Sequence, residues 1–194
     1  IGAYSVMHHL GFISKKAYDS FCNFNSNLGG HPDSTKMPIF NFSTGSLGHG
    51  LPNSSGLAYA LKQKKSKKKV ICLIGDQELM EGTTWESLHI IENYKIKNLI
   101  LIIDRNKSDF RSIRFLEIKK KLSVFSDKIH EINGHNLLEI KDALKKSLTN
   151  KSFNIIIANT VKGYGIKSIK NNPAWHHKSP TTEELKNFKK ELCL

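Results

Sequence analysis

The sequence predicts an α/β protein, a parallel sheet with helices on both faces. Three observations point there. Residues 70–74 (Val-Ile-Cys-Leu-Ile) and 99–104 (Leu-Ile-Leu-Ile-Ile-Asp) are short apolar runs rich in β-branched residues and long enough for buried strands. Residues 83–94 between them read as a helix, so strand, helix and strand form a crossover that makes the two strands parallel. Strand and helix patterns then keep alternating along the chain, as a sheet covered on both faces requires.

The elements follow in order. Ile1-Gly2-Ala3-Tyr4-Ser5-Val6-Met7 reads as the middle of a helix that continues to residue 10. Ser14 suits the N-cap of a second helix over 15–24. A loop rich in Gly, Pro and Asn, 25–42, leads to Gly45-Ser46-Leu47-Gly48-His49-Gly50, which opens a helix running to about residue 64. Glycines at a helix entrance allow close backbone approach, and the free N–H groups of a first turn favour anions or polar rings. The alternative is a tight helix entry with no ligand. A lysine-rich turn, 65–69, enters the first strand. Beyond the second strand come a helix near 115–124, a short strand at 128–132, a helix at 137–148 and a strand at 153–159. Thr181-Thr182-Glu183-Glu184 is a capping box opening a final helix. No repeat or second domain is evident, so 1–194 reads as one domain with a single core.

Because the first two strands are parallel, their carboxyl ends share one edge, where open α/β sheets bind ligands. Gly75-Asp76 closes the first strand and Asn106 lies just beyond the second. An Asp and an Asn delivered there offer hard oxygen ligands, as Mg²⁺ needs when it carries a diphosphate. Both are also common turn and cap residues, and the alternative is that Asp76 caps the following helix.

The residues around this pair go further. Gly75-Asp76-Gln77-Glu78-Leu79-Met80-Glu81-Gly82, Trp85-Glu86, Asn98-Leu99 and Asp104-Arg105-Asn106 together resemble the thiamine-diphosphate motif of transketolases. Gly30-His31-Pro32-Asp33, Ser43-Thr44-Gly45-Ser46-Leu47-Gly48-His49-Gly50, Thr160-Val161-Lys162-Gly163-Tyr164-Gly165 and Asn171-Asn172-Pro173-Ala174-Trp175-His176 resemble stretches of the same family in the same order. The match covers nearly the whole chain and is weakest over 107–126. It implies the thiamine-diphosphate-binding fold and the cofactor-diphosphate half of a transketolase, of the kind encoded as a separate N-terminal subunit.

The resemblance also implies roles for residues. Asp76, Asn106 and the main-chain carbonyl of Ser108 would hold Mg²⁺, with diphosphate oxygens and a water completing the shell. Gly75 and Gln77 would lie against the diphosphate, and the backbone of Gly45, Ser46 and Leu47 against the aminopyrimidine ring. His31 would line the cofactor and substrate channel, and His176 would approach the diphosphate and the reacting sugar phosphate. Glu81 would sit at a subunit interface, in communication with the partner's catalytic glutamate. Two positions depart from the family. Gln77 stands where Gly is usual, so its side chain points away or adds an amide contact, and His49 stands where glutamine is usual. A Gly-His and a substrate-binding His that the family carries upstream have no counterpart, so the chain is expected to lack its N-terminal segment. A C-terminal transketolase subunit is the implied partner, supplying the activating glutamate, and self-association is expected. Two other readings remain: a non-catalytic, regulatory subunit, or a relative of deoxyxylulose-phosphate synthase, against which Met80-Glu81-Gly82 and Trp85-Glu86 speak.

The net charge of +13, from 30 Lys and Arg against 17 Asp and Glu, raises nucleic acid as a partner. Yet Arg105, Arg111 and Arg114 are the only arginines, and no aromatic residues interleave with the lysine clusters. A solvated lysine surface explains the charge, and no nucleic acid is expected. No apolar run approaches the roughly 20 residues of a membrane helix, and no secretory signal opens the chain. Cys22, Cys72 and Cys193 are far apart without CxxC pairing, which suits a reducing cytoplasm. His89, His130 and His135 read as surface or packing residues, and neither His8-His9 nor His176-His177 has zinc spacing. On the 83–94 helix, Trp85, Leu88, His89 and Glu92 share one side, read either as an interface beside Glu81 or as the side packed on the sheet.

Overall fold

Residues 1–107 and 116–194 are described by the computed structural model, and they divide into two units, Ile1–His49 and Gly50–Leu194. In the first, α1 (Gly2–His9) and α2 (Lys15–Asp19) pack through Tyr4, Ile13 and Leu28, all buried. The Tyr4 ring meets Phe40 edge-on at 5.6 Å and Phe21 at 5.8 Å. Ser14 caps α2, its hydroxyl accepting from the Ala17 N–H at 3.2 Å. The helix is shorter than the 15–24 expected. The Ser20 hydroxyl turns back to the Ala17 carbonyl at 2.7 Å, and Cys22 takes a left-handed φ of 57°, which ends the helical run. The following loop is organised by Asp33, whose carboxylate accepts from the Thr35 hydroxyl at 2.7 Å and the Thr35 N–H at 2.9 Å. Those bonds, the hydroxyl's foremost, hold the Asp33 carboxyl below the usual carboxylate range.

The second unit carries the sheet: β1 (Val70–Gly75), β2 (Leu99–Arg105), β3 (Ile129–Asn133) and β4 (Asn154–Asn159), all parallel in the order β1-β2-β4-β3. The fold class expected from the apolar runs is the one observed. Val70, Cys72 and Ile74 share a face with Leu99, Leu101 and Ile103, and that face is buried beneath α3 (Gly50–Gln63), α4 (Gly82–Asn93) and α5 (Ile118–Leu122). Burial pushes the Cys72 thiol up, as for a core residue. On the opposite face α6 (Leu137–Thr149) packs Ala143 and Leu144 over Ile100, Ile156 and Ile132. Ile71 and Leu73 of β1, on this same face, are half or more exposed. β3 and β4 each begin one residue later than expected. The capping box opens α7 (Thr182–Glu191): the Glu184 N–H donates to the Thr181 hydroxyl at 3.2 Å, and the Glu184 carboxylate accepts from the Thr181 N–H at 2.8 Å.

Of the shared side of α4, Trp85 and Leu88 pack inward while His89 and Glu92 are exposed, and the buried residues of the helix are Thr84, Ser87, Leu88 and Ile91. Leu88 is fully buried, and Trp85 joins the core and tilts on Phe125 at 6.1 Å. The Trp85 indole N–H donates to the Leu79 carbonyl at 2.8 Å. Trp85 and Leu88 are therefore committed to the fold, and a stripe at helical spacing on a crossover helix marks sheet packing first. Among the described residues, no helix is long and apolar enough to cross a membrane.

Candidate functional site

The register fixes which residues meet at the carboxyl edge. Gly75 lies opposite Asp104, and Asp104 opposite Ala158, so β1, β2 and β4 end nearly level. Past Gly75 the chain enters a 3₁₀ turn, Asp76–Met80, whose start is held by the Glu78 carboxylate accepting from the Gly75 N–H at 3.0 Å. Asp76 thus does not cap α4; that helix begins at Gly82, with Glu81 at its N-cap position and no side-chain cap. Instead Asp76 is buried, 5% exposed, and its Oδ2 accepts from the Lys107 N–H at 2.8 Å. The residue beside Lys107 is Asn106. Its amide Nδ2 donates to Asp104 Oδ2 at 3.2 Å, so its hard-oxygen donor is Oδ1. The two residues expected to hold a metal therefore stand at adjoining strand ends, joined through one main-chain bond.

This donor set fits Mg²⁺ with a diphosphate. A buried carboxylate set beside an amide oxygen at the sheet edge is the hard-oxygen pairing that a divalent cation takes. Among the described residues no three His, Cys, Asp or Glu side chains form a metal cage. One carboxylate and one amide suit Mg²⁺ when phosphate oxygens and water supply the other positions. The expected third ligand, Ser108, lies outside the described residues.

A cavity of about 430 Å³ opens at this edge, lined by Leu73, Asp104, Asn106, His135, Thr160 and Lys162 among others. Thr160 closes its floor: its hydroxyl donates to Asp104 Oδ1, and its N–H to the Arg105 carbonyl at 3.1 Å. Lys162, two residues on, brings in His176. The Lys162 Nζ and His176 Nδ1 are 2.7 Å apart, and the His176 ring meets His177 edge-on at 4.3 Å. His176 follows a short 3₁₀ turn, Pro173–Trp175, capped by the Asn172 side chain on the Ala174 N–H at 3.0 Å. An ammonium and an imidazole side by side make an anion-binding pair, its ammonium on the wall of the cavity that Asn106 also lines.

Other expected residues fall elsewhere. Gln77 is half-buried within the Asp76–Met80 turn, and Glu81 is half-buried between that turn and α4. His31, Gly45, Ser46 and Leu47 belong to the first unit. There Gly45, at φ +123°, lies against the His31 ring, whose Cγ and Cδ2 are 2.9 Å from where a Gly45 Cβ would stand. Only glycine fits that approach. Ser46 and Leu47 are exposed. Asp104, Thr160 and Lys162 stand in the sequence only as members of longer motifs, and His135 reads there as a surface or packing residue. The signal for His135 was its position, one turn past a strand's carboxyl end.

A family model described as transketolase, thiamine diphosphate binding domain, matches residues 1–194. The chain is 37% identical over 196 residues to a protein of Actinobacillus succinogenes named as a subunit of apulose-4-phosphate transketolase, covering 98% of this chain and 71% of that protein. It is 33% identical over 195 residues to the protein of the same name from Phocaeicola vulgatus, covering 97% and 69%. The crystal structure of transketolase from Campylobacter jejuni aligns with a TM-score of 0.91 at 26% identity, over 99% of this chain and 32% of that one. The chain thus spans about a third of that solved transketolase.

Proposed function

Because this chain belongs to the transketolase family, as its thiamine diphosphate binding domain, we propose that it anchors the Mg²⁺-diphosphate end of that cofactor for two-carbon ketol transfer between sugar phosphates. It acts as the N-terminal half of a two-subunit enzyme, a reading supported by two relatives that are themselves named as one subunit of a transketolase. The observation that carries it is the buried Asp76 carboxylate bonded to the Lys107 N–H beside Asn106.

When bound, thiamine diphosphate supplies the nucleophilic carbon that takes a ketol unit from a ketose and gives it to an aldose. The chain's residues hold and orient. Asp76 and Asn106 would hold Mg²⁺, and Gly75 and Gln77 would face the diphosphate. Lys162 and His176 offset phosphate charge; the Lys162 ammonium donates to His176 Nδ1, which leaves the Nε2–H of the exposed imidazole to donate a hydrogen bond or carry the proton. Gly45, Ser46 and Leu47 present backbone groups to the aminopyrimidine, and His31 faces the reacting sugar. Glu81 meets the partner half or a second copy of this chain in a cytoplasmic oligomer. A C-terminal transketolase subunit completes the cleft with its glutamate. Since the two relatives' name includes apulose 4-phosphate, that ketose phosphate is the first donor to assay beside the common ones.

Isothermal titration of thiamine diphosphate into this chain mixed with its partner half tests the assignment. Binding should require a divalent metal and weaken at least about tenfold in Asp76→Ala, the loss of one charged ligand bond. Unchanged metal-dependent affinity in that variant sinks it.

A further inference from the structure

We propose that His135 is the positioning residue that sets Lys162 at the carboxyl edge of the sheet, toward the diphosphate; the proposal rests on the cofactor reading above. Neither the family match nor the relatives' names give His135 a role. Its placement begins with Gly134. A Cβ there would stand 2.4 Å from Thr160 Cγ2 and 3.2 Å from the Asn159 carbonyl, and the Gly134 N–H donates to that carbonyl at 2.8 Å. The turn after β3 is therefore pressed directly on the end of β4. The His135 N–H, donating to Asn133 Oδ1 at 3.0 Å, fixes the backbone from which the ring projects.

The imidazole then takes hold of the loop after β4 in two places. Its Nε2 accepts from the Val161 N–H at 2.8 Å, which puts the ring proton on Nδ1. Its face stacks on the Tyr164 ring, centroids 3.7 Å apart and planes 11° from parallel. Val161 and Tyr164 are the two ends of one tight turn, closed by the Tyr164 N–H on the Val161 carbonyl at 3.1 Å. Lys162 lies between them. The Lys162 carbonyl accepts from the Asn171 N–H at 2.9 Å, so the same turn carries the segment leading to His176. Tyr164 is 64% exposed, and a stack on so exposed a ring is a weak contributor to the core. What the two contacts do fix is the direction in which the Lys162 side chain leaves the turn.

Two variants separate acceptor from ring. His135→Phe keeps a ring for Tyr164 and loses the acceptor. His135→Gln loses the ring and keeps an oxygen near the place of Nε2. In the full chain, the Val161 amide should exchange with solvent about tenfold faster in His135→Phe and close to the native rate in His135→Gln. In the chain mixed with its partner half, affinity for thiamine diphosphate with Mg²⁺ should fall about tenfold in His135→Phe and return in His135→Gln. Unchanged melting temperatures would set both variants apart from a folding defect. Should His135→Phe keep both Val161 protection and native affinity, the positioning role is overturned while the cofactor reading stands. Equal losses in the Phe and Gln variants overturn it too, since the acceptor would then not matter. If the native mixture itself binds no thiamine diphosphate, the cofactor reading falls and the role of Lys162 toward it falls with it.

Discussion

Gly134 carries no side chain because β4 leaves it no room. Its clash partners differ in how far they can give. Thr160 Cγ2 belongs to a β-branched side chain whose hydroxyl is bonded to Asp104, and the Asn159 carbonyl is main chain. Gly134→Ala should therefore lower stability by about 1–3 kcal/mol, the usual range for overpacking, as read from urea denaturation. It should also weaken cofactor binding, since the strain falls on Thr160 and the turn holding Lys162. A variant as stable as the native chain would mean that β4 yields more easily than its bonds suggest. Asp76 and Asn106 could be found from the residues alone, because parallel strands announce themselves as β-branched runs and their next residues must share an edge. Lys162 and His135 could not. Each matters through a contact between two loops, and no periodicity records which loops touch.

Among the elements, α7 shows how a surface helix can serve a site it does not line. Its start is secured by the Thr181–Glu184 box, and its last turn reaches back to a 3₁₀ turn at Lys167–Ile169. There the Glu191 carboxylate accepts from the Lys167 N–H at 2.5 Å and the Ser168 N–H at 3.3 Å. Bonding to Ser168 foremost, and to Lys167, holds the Glu191 carboxyl below the ordinary Glu range. A lowered value in the folded chain means the tether is present above the ordinary Glu value and is lost as pH falls through the lowered one. The Lys167 and Ser168 amide proton shifts should accordingly move below the ordinary Glu value, and Glu191→Gln should abolish that movement. A titration at the ordinary Glu value would show the tether to be absent in solution. Trp85 and Leu88 teach the complementary lesson about elements. Helical spacing groups Trp85 and Leu88 with His89 and Glu92, yet the latter two are exposed and the buried side of α4 runs through Thr84, Ser87, Leu88 and Ile91, against the chain's own sheet. The early end of α2 was hidden for a similar reason, since a left-handed residue such as Cys22 leaves no mark in composition.

For the molecule as a whole, the proposed division of labour makes a direct prediction. Purified alone, this chain should show no ketol transfer in a coupled assay, and activity should appear on adding a matching C-terminal half. Turnover without a partner would overturn the split arrangement. The fold class was legible because it depends on sums over many residues, namely burial on two faces of β2 and β4 and on one face of β1. The strand order was not, because β4 enters between β2 and β3, and nothing in the spacing of strands reports which neighbours they take.

That order has a consequence in time. During synthesis β3 emerges before β4, yet β4 is the strand it pairs with. β3 must wait unpaired until β4 arrives, and β4 then joins β2 and β3 in one event. The next residues to emerge are Thr160, Val161 and Lys162. The strand that completes the sheet thus delivers the first member of the anion pair at once, and the second, His176, follows 14 residues later, so the sheet is closed before the pair can form.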